Sequence, residues 1–197
     1  MRKQKIKASF FFTGRFYRSI TFAPLIRRLK KEGHYLGAHS DEHLLYCDWT
    51  KRDSLLVTKQ QFKTDLLKNY TELARYGISK GKAAFFLPPY EWYNDSIAAW
   101  TREMGLQLIN FTPGTLSTAD YTTPDMKNYR NSEAIYNSII HYENSKSSGM
   151  NGFILLVHIG TDPKRTDKLY DRLPELIRHL SAKGYHFQTV DQLLRID

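Results

Sequence analysis

The sequence contains a single cysteine, Cys47, among 197 residues, so no disulfide can form within the chain and thiolates cannot dominate a zinc site. It also lacks any apolar run near the roughly 20 residues that a membrane-spanning helix needs. Glycine and proline number only 11 and 7, which excludes collagen-like and low-complexity chains. The 41% of hydrophobic and 14% of aromatic residues are typical of one globular domain with a sizeable core.

Acidic residues are too few to balance the basic ones. Lys and Arg number 29 against 20 Asp and Glu, and most of the excess lies in residues 1–60, which hold 13 basic and 5 acidic side chains. Such an excess suits an anionic partner such as nucleic acid. The bases form no long run interleaved with aromatics, so we favour a solvated helix face and expect no nucleic-acid partner. An absent acidic part of the domain is another explanation.

Strand and helix signals alternate along the chain. Apolar runs predict six strands, at residues 6–12, 35–38, 83–86, 106–109, 153–157 and 186–190. Amphipathic stretches bounded by capping residues and glycine predict helices at 22–31, 53–75 (capped by Asp53), 94–105, 132–143 and 169–183, and a short one from 191. This alternation predicts a single α/β domain over residues 1–197, with a parallel sheet curled into a barrel.

Two histidines directly follow the strand predicted at residues 35–38. His39 and His43 are four residues apart, so on a helical turn they would share one face and could chelate one divalent metal. Neutral imidazole suits Zn, Ni, Co or Fe. Surface histidines often have this spacing by chance, so the spacing alone leaves both interpretations open.

Loops after the other strands carry further candidate groups, because barrel enzymes place reactive side chains at strand C-terminal ends. His158 ends an apolar run and suits a general acid, or a histidine that merely hydrogen-bonds a neighbouring loop. Two prolines precede Tyr90, whose N–H could be a fixed donor to an oxyanion; a plain strand terminator is the alternative. Aromatic residues in such loops suit stacking on sugars, although some will be core: Trp49, Trp92, Tyr93 and Tyr121.

These segments together resemble the NodB-homology polysaccharide deacetylases (carbohydrate esterase family 4). Residues 5–43, with His-Ser-Asp-Glu-His at 39–43, are similar to the family's second strand and its His-Ser/Thr-x-x-His metal motif. Pro-Pro-Tyr at 88–90 resembles the third motif, Asp-Tyr at 120–121 the Asp-Trp fourth motif, and Leu-Val-His at 156–158 the Leu-x-His fifth. The resemblance spans nearly the whole chain, in the family's order.

The resemblance implies a distorted (β/α) barrel of the seven-stranded type and a metal-dependent hydrolase. Its substrate would be an acetylated poly- or oligosaccharide, most typically an N-acetylhexosamine polymer, or an O-acetyl glycan. His39 and His43 would hold the metal, zinc first among the candidates, with an aspartate of the family's first motif. The metal would polarise the acetyl carbonyl and lower the pKa of a bound water.

The other site residues follow from the same resemblance. His158 would protonate the leaving amine and Asp120 would orient it. The Tyr90 N–H would stabilise the oxyanion, and Leu156 would line the pocket for the acetyl methyl. Among the loop aromatics, we expect the Trp92 ring to contact the sugar.

The sequence departs from the family at two points. The first motif, Thr-Phe-Asp-Asp-Gly, which supplies the general base and the third metal ligand, does not occur. It belongs about one strand and one helix before Ile6, so we expect a chain whose N-terminus is truncated or misplaced, with little deacetylase activity. A naturally lost motif is the alternative. Leu87 stands where the family has an arginine paired with the base, and Glu91 is a candidate substitute carboxylate. A non-catalytic carbohydrate-binding pseudoenzyme is the alternative function.

Two further expectations concern location and assembly. No apolar stretch with a small-residue cleavage site follows the basic start, so no signal peptide is recognisable. From the resemblance we nevertheless expect a periplasmic or secreted native protein. A sheet without its first strand would have an unpaired edge, which predicts a homodimer or strand exchange.

Overall fold

The computed structural model describes residues 4–194, and these divide into two compact units. The larger unit contains residues 6–110 together with 188–194, and the smaller unit contains residues 4–5 together with 111–187. The single domain expected over residues 1–197 therefore stays a prediction. Among the residues described, no helix is both long and apolar enough to cross a membrane.

A parallel sheet forms the centre of the larger unit. Its strands, in the spatial order β1-β2-β3-β4, are β1 (Ser9–Phe12), β2 (Tyr35–Ala38), β3 (Phe85–Phe86) and β4 (Gln107–Leu108). Ala38 at the end of β2 lies beside both Phe12 and Phe86. The C-terminal ends of three neighbouring strands therefore lie side by side, and side chains of the loops that follow them can meet there.

The helices surround these strands or form the smaller unit. In chain order they are α1 (Gly14–Arg18), α2 (Ala23–Lys31), α3 (Lys59–Ala74), α4 (Asp95–Glu103), α5 (Ser132–Ser145), α6 (Leu169–Ala182) and α7 (Val190–Leu193). Only α5 and α6 belong to the smaller unit, where Ile135 and Ile139 of α5 share a core with Leu169 and Leu180 of α6.

The core of the larger unit lies between the sheet and its helices. Phe62, Leu66 and Leu73 on α3 are completely buried and pack with Phe86 of β3 and Ile97 of α4. Each such side chain contributes on the order of 1.5–3 kcal/mol when it leaves water. This packing fixes α3 against the C-terminal end of β2, which is where the paired histidines begin.

Two of the six predicted strands are wrong. Residues 153–157 and 186–190 form no strand in the structure. Ile154 only exchanges two hydrogen bonds with Thr112, while Phe153, Leu155 and Val157 pack against the core of the smaller unit. An apolar run indicates that a segment is buried, but a buried segment need not pair with a strand of a sheet.

The predicted start of the long helix is also wrong. The helix begins at Lys59 instead of near Asp53, because Thr58 caps it. The Thr58 hydroxyl accepts the Gln61 N–H, and the Gln61 side chain accepts the Thr58 N–H, which satisfies two helix-end donors reciprocally. Leu55 instead makes an antiparallel bridge with Cys47, so the preceding residues form a long loop.

The sheet edges leave the assembly prediction open. In the part of the chain that the structure describes, β1 and β4 are the outer strands of the four. The homodimer or strand exchange through a sheet edge remains a prediction.

A buried histidine makes the stability of the fold depend on pH. The Nδ1 of His34 accepts the Ala8 N–H at 3.1 Å, at the start of the β1–β2 pairing. Burial, with a smaller contribution from the Lys7 charge, lowers the pKa of His34 below its ordinary value of 6.5. Because the folded state resists protonation, this contribution is complete above 6.5 and is lost as the pH falls through the folded pKa.

We therefore predict that His34→Gln, whose amide oxygen can still accept the Ala8 N–H, reduces the loss of unfolding free energy on acidification. Urea unfolding of both proteins at about pH 7.5 and about pH 5 measures this loss. Equal losses in the two proteins would contradict the assignment. His186→Gln, at an exposed histidine, is the matched control and should behave like the parent chain.

Candidate active site

The loop that leaves β2 brings two imidazole rings together. The Nδ1 of His39 lies 2.8 Å from the carbonyl oxygen of Leu87, and because a carbonyl only accepts, this nitrogen carries the hydrogen. The Nε2 of His39 is then the nitrogen with the lone pair, and the Nε2 of His43 lies 3.1 Å from it. Two nitrogens of a tetrahedral zinc site are about 3.3 Å apart, so this separation suits a shared metal as well as an N–H···N bond.

A turn, not the helical turn of the sequence interpretation, produces this convergence. Residues 39–43 contain no helix, and Ser40 and His43 adopt left-handed backbone angles, with φ of 66° and 59°. The Ser40 hydroxyl accepts the His43 N–H at 2.8 Å and closes the turn. Non-glycine residues are strained in this region, so surrounding contacts must hold them there.

Helix α3 supplies those contacts. The Asp65 carboxylate accepts the backbone N–H groups of Asp41 and Glu42 at 3.2 and 3.0 Å. The Asn69 side chain accepts the His39 N–H at 3.0 Å and donates to the Phe12 carbonyl of β1 at 3.2 Å. Both side chains are buried, so their bonds replace those that water would otherwise provide.

Sequence reasoning missed Asp65 and Asn69. They are four residues apart and share the inner face of α3 with buried apolar residues. A polar residue on the apolar face of a helix was the available signal. Such a residue does not indicate which backbone groups its side chain binds, because the partner depends on how α3 packs.

The acidic side chains between the two histidines form ion pairs with arginines of α1. Arg18 of α1 pairs with Asp41 and Glu42, and Arg15 also pairs with Glu42. The hydrogen bond from Arg15 is the main reason why the pKa of Glu42 lies below its ordinary range. Within residues 4–194, no group of three or more His, Cys, Asp or Glu side chains is placed to hold a metal. The histidine pair thus fits a metal as two ligands without a third.

The segment after β3 lies against the histidine pair. Residues 89–91 form a 3-10 turn in which Tyr90 has a left-handed backbone, with φ of 59°. The Tyr90 ring is edge-on to the His43 ring, with centroids 4.4 Å apart. Leu87, at the position of the family's arginine, has a buried side chain and contributes its carbonyl to His39.

A second group of site residues lies in the smaller unit. The Asp120 carboxylate lies 2.6 Å from Nδ1 of His158 and also accepts the His158 backbone N–H at 2.7 Å. Asp120 is 1% exposed. Both contacts fix the orientation of the imidazole, and the Tyr121 ring lies edge-on to it at 5.5 Å. Leu156, two residues before His158, is half-buried.

A buried arginine supports this Asp120–His158 dyad. Arg165 is completely buried, and its guanidinium donates to the carbonyls of Thr122 and Arg130 and to the Ser132 hydroxyl. It thereby ties the segment that follows Asp120 to the loop that follows His158. The sequence interpretation did not find this residue, because an arginine in a polar loop normally indicates exposure.

Most of the larger unit matches a known family. The family model for polysaccharide deacetylase matches residues 1–109, which contain the histidine pair and the Tyr90 turn. The chain belongs to the polysaccharide deacetylase family. The resemblance identified from the sequence motifs is therefore confirmed.

Individual relatives extend the match over the whole chain. A peptidoglycan-N-acetylglucosamine deacetylase of Bacillus cereus is 25% identical over 195 residues, which are 99% of this chain and 78% of the relative. The chain covers only 63% and 34% of the next two curated relatives. The chain therefore spans between 34% and 78% of the lengths of these three relatives.

Solved structures show the same fold. A cobalt complex of a family 4 acetyl xylan esterase from Clostridium thermocellum matches with a TM-score of 0.70 and 21% identity, over 98% of this chain and 78% of that one. A CE4 family pseudoenzyme from Bacillus anthracis matches with a TM-score of 0.71 and 18% identity, over 98% of this chain and 57% of that one. The predicted fold class, the α/β fold of the deacetylases, is confirmed.

We predict that Asp65→Asn loosens the histidine loop. One acceptor oxygen is replaced by a donor, so at least one of the Asp41 and Glu42 N–H groups loses its partner. The free energy of unfolding should fall by about 1–3 kcal/mol. Zinc affinity, measured by calorimetry, should fall about 10–100-fold, as for other residues that orient ligands.

Asp53→Asn is the matched control, because it makes the same chemical change at an exposed carboxylate outside α3 and the histidine loop. It should change neither quantity. A loss of stability in Asp65→Asn without a loss of zinc affinity would show that Asp65 supports the fold and not the histidines.

Proposed function

We propose that this chain carries the metal-binding histidines and the proton donor of a hydrolase that removes acetyl groups from a carbohydrate. The observation that carries the proposal is the convergence of His39 and His43, whose Nε2 atoms are 3.1 Å apart, on the family's second motif. The Asp120–His158 dyad on the fourth and fifth motifs supports it independently.

The histidine pair is the proposed metal site. The Leu87 carbonyl fixes the tautomer of His39, and Asp65 and Asn69 hold the loop, so a divalent cation would meet imidazoles that are already positioned. When bound, zinc or a similar cation would polarise the acetyl carbonyl and lower the pKa of a water molecule. Imidazole nitrogen is a ligand that zinc, cobalt, nickel and iron all accept.

The Asp120–His158 dyad is the proposed acid. With Nδ1 held on Asp120, the Nε2 nitrogen of His158 is the one that exchanges protons with the substrate. Water adds to the acetyl carbon and the C–N bond then breaks. The proton on Nε2 passes to the departing amine nitrogen, and the products are acetate and an amino sugar.

Three further residues would bind the substrate. We assign the Tyr90 N–H to the oxyanion, Leu156 to the acetyl methyl group, and the ring of Trp92 to the sugar. Trp92 is already fixed in place, because its Nε1–H donates to the Asp48 carbonyl at 3.1 Å.

The proposed reaction also needs a carboxylate to take the proton from water and to complete the metal site. The Thr-Phe-Asp-Asp-Gly motif that supplies it in the family does not occur among the 197 residues. We propose that this carboxylate comes from chain outside the present sequence and that the 197-residue chain alone has little activity. Glu91 stays a weaker candidate as a substitute.

The names of the relatives suggest the substrate class. The Bacillus cereus relative is a peptidoglycan-N-acetylglucosamine deacetylase, and the Clostridium thermocellum structure is an acetyl xylan esterase. We propose an N-acetylhexosamine polymer as the substrate and an O-acetyl glycan as the second choice. A polymer of either kind would place the native protein outside the cytoplasm, in the periplasm or secreted.

A carbohydrate-binding pseudoenzyme is the second candidate function. The buried Leu87 cannot pair with a catalytic carboxylate as the family's arginine does, because it has no charge. A CE4 family pseudoenzyme also has the same fold. Under this alternative the chain binds the glycan and releases no acetate, even when the missing motif is restored.

We predict that zinc binds weakly to the 197-residue chain through the histidine pair. His39→Ala should lower the affinity by at least about tenfold, since one of two ligands is lost. His141→Ala, at an exposed histidine of α5, is the control and should leave the affinity unchanged. Isothermal titration calorimetry measures both, and equal effects of the two substitutions would contradict the metal assignment.

We also predict that acetate release depends on the missing motif. The 197-residue chain should release almost none from an acetylated chito-oligosaccharide, and a chain extended by a family first strand with its two aspartates should release it. In the extended chain, His158→Ala should reduce kcat about 10²–10⁴-fold. Rapid turnover by the 197-residue chain would refute the need for that motif. Glycan binding without turnover by the extended chain would select the pseudoenzyme.

A further inference from the structure

An aromatic cluster in the larger unit continues outward from the histidine pair. Trp49, on the loop after β2, lies edge-on to Tyr90 at 5.5 Å and against Trp92 at 5.7 Å between ring centroids. Tyr90 in turn contacts His43. Trp49 is 54% exposed and Tyr90 44%, so two large rings face solvent next to the proposed metal ligands. Adjacent exposed rings offer a flat apolar surface on which a ligand can stack.

The loop that carries Trp49 is held in one conformation. The Asp48 carboxylate accepts the N–H groups of Thr50 and Lys51, each at 2.8 Å. These bonds, first among them the one from Lys51, lower the pKa of Asp48. The Asp48 carbonyl accepts from the Trp92 indole, and the Arg52 carbonyl accepts from Asn94 at 3.0 Å. The exposed rings are therefore pre-organised, which reduces the entropy lost when a ligand binds.

A guanidinium is fixed against Trp92, the ring that Trp49 also contacts. The Arg52 guanidinium carbon lies 4.3 Å from the centroid of Trp92 and 5.4 Å from that of Tyr93, and its Nε donates to the Tyr93 carbonyl at 2.6 Å. Among the residues described, no carboxylate forms an ion pair with Arg52. Arginine held flat on aromatic rings offers its planar donors to a carboxylate with two parallel hydrogen bonds.

We propose that Trp49 and Arg52 form a subsite for a sugar that carries a carboxylate, next to the acetylated sugar. The Trp49 ring would stack on the apolar face of the pyranose, and Arg52 would pair with the carboxylate. This inference rests on the proposed function and names its substrate class, an acidic acetylated glycan. The excess of positive charge in residues 1–60 favours such a polymer over a neutral one.

Two kinds of sugar provide this chemistry, a uronic acid and a sugar with a lactyl ether. The probes are therefore N-acetylglucosaminyl-N-acetylmuramic acid, a xylo-oligosaccharide with one glucuronic acid, and the neutral tetra-N-acetylchitotetraose. Calorimetry with the 197-residue chain and no added metal gives each Kd. At least one acidic probe should bind about tenfold more tightly than the neutral one, and the pattern identifies the source of the carboxylate.

Substitutions of Arg52 test its proposed pairing with the sugar carboxylate. Arg52→Gln should abolish the preference for the acidic probe by weakening its binding about tenfold, with less than about a twofold change for the neutral probe. Arg52→Lys, which keeps the charge without the planar fork, should retain part of the preference. Arg27→Gln, at an exposed arginine of α2, is the matched control and should leave the preference intact.

The Trp49 variant tests the stacking surface. Trp49→Ala should weaken both acidic and neutral probes about tenfold, since the ring contact is common to them. Phe22→Ala, at an exposed ring 38% accessible in the same unit, is its control and should change neither. Trp49 is exposed, so its loss should leave the unfolding midpoint in urea close to that of the parent chain.

The outcomes separate this proposal from the proposed function. Equal binding of acidic and neutral probes, or an unchanged preference in Arg52→Gln, overturns the subsite even if the extended chain releases acetate. An acidic preference that depends on Arg52, in an extended chain that releases no acetate, supports the subsite and rejects the hydrolase. In either case the binding measurement decides the subsite and acetate release decides the reaction.

Discussion

The site in the larger unit depends on two buried side chains of α3 that hold a strained turn. Asp65 accepts two consecutive backbone N–H groups and Asn69 connects His39 to β1, while Ser40 and His43 keep left-handed backbone angles. Without these bonds the turn would relax toward ordinary backbone angles and the imidazoles would separate. The apolar packing of α3 on the sheet thus sets the geometry of the two nitrogens that we propose as metal ligands.

In the smaller unit a buried arginine, Arg165, holds the segments that carry the site residues, as Asp65 does in the larger unit. Arg165 lies in the segment after His158, and its buried guanidinium donates to carbonyl and hydroxyl groups of the segment after Asp120. Those segments carry Asp120 and His158, whose 2.6 Å contact fixes one ring. In both units a buried polar side chain positions the groups for which we propose a chemical role.

Much of the fold and of the candidate site could be predicted from the sequence, because local residue patterns determine these features. Residues 35–38 form a strand as predicted, and the motifs identified the histidines, the Asp120–His158 dyad and Tyr90, which the structure places in two groups. Local patterns do not record pairing partners, so residues 153–157 were predicted to be a strand although they only pack on a core. They also do not record which distant backbone a side chain binds, so Asp65, Asn69 and Arg165 were missed.

X-ray absorption spectroscopy of the zinc-loaded 197-residue chain tests whether the histidine pair binds one cation, because it counts the ligands without requiring turnover. We expect two imidazole nitrogens at about 2.0 Å, with water or buffer oxygens completing the shell. In Asn69→Leu, which removes the bridge to His39, the imidazole count should fall. A spectrum of the parent chain with one imidazole or none would show that the paired nitrogens do not bind one cation.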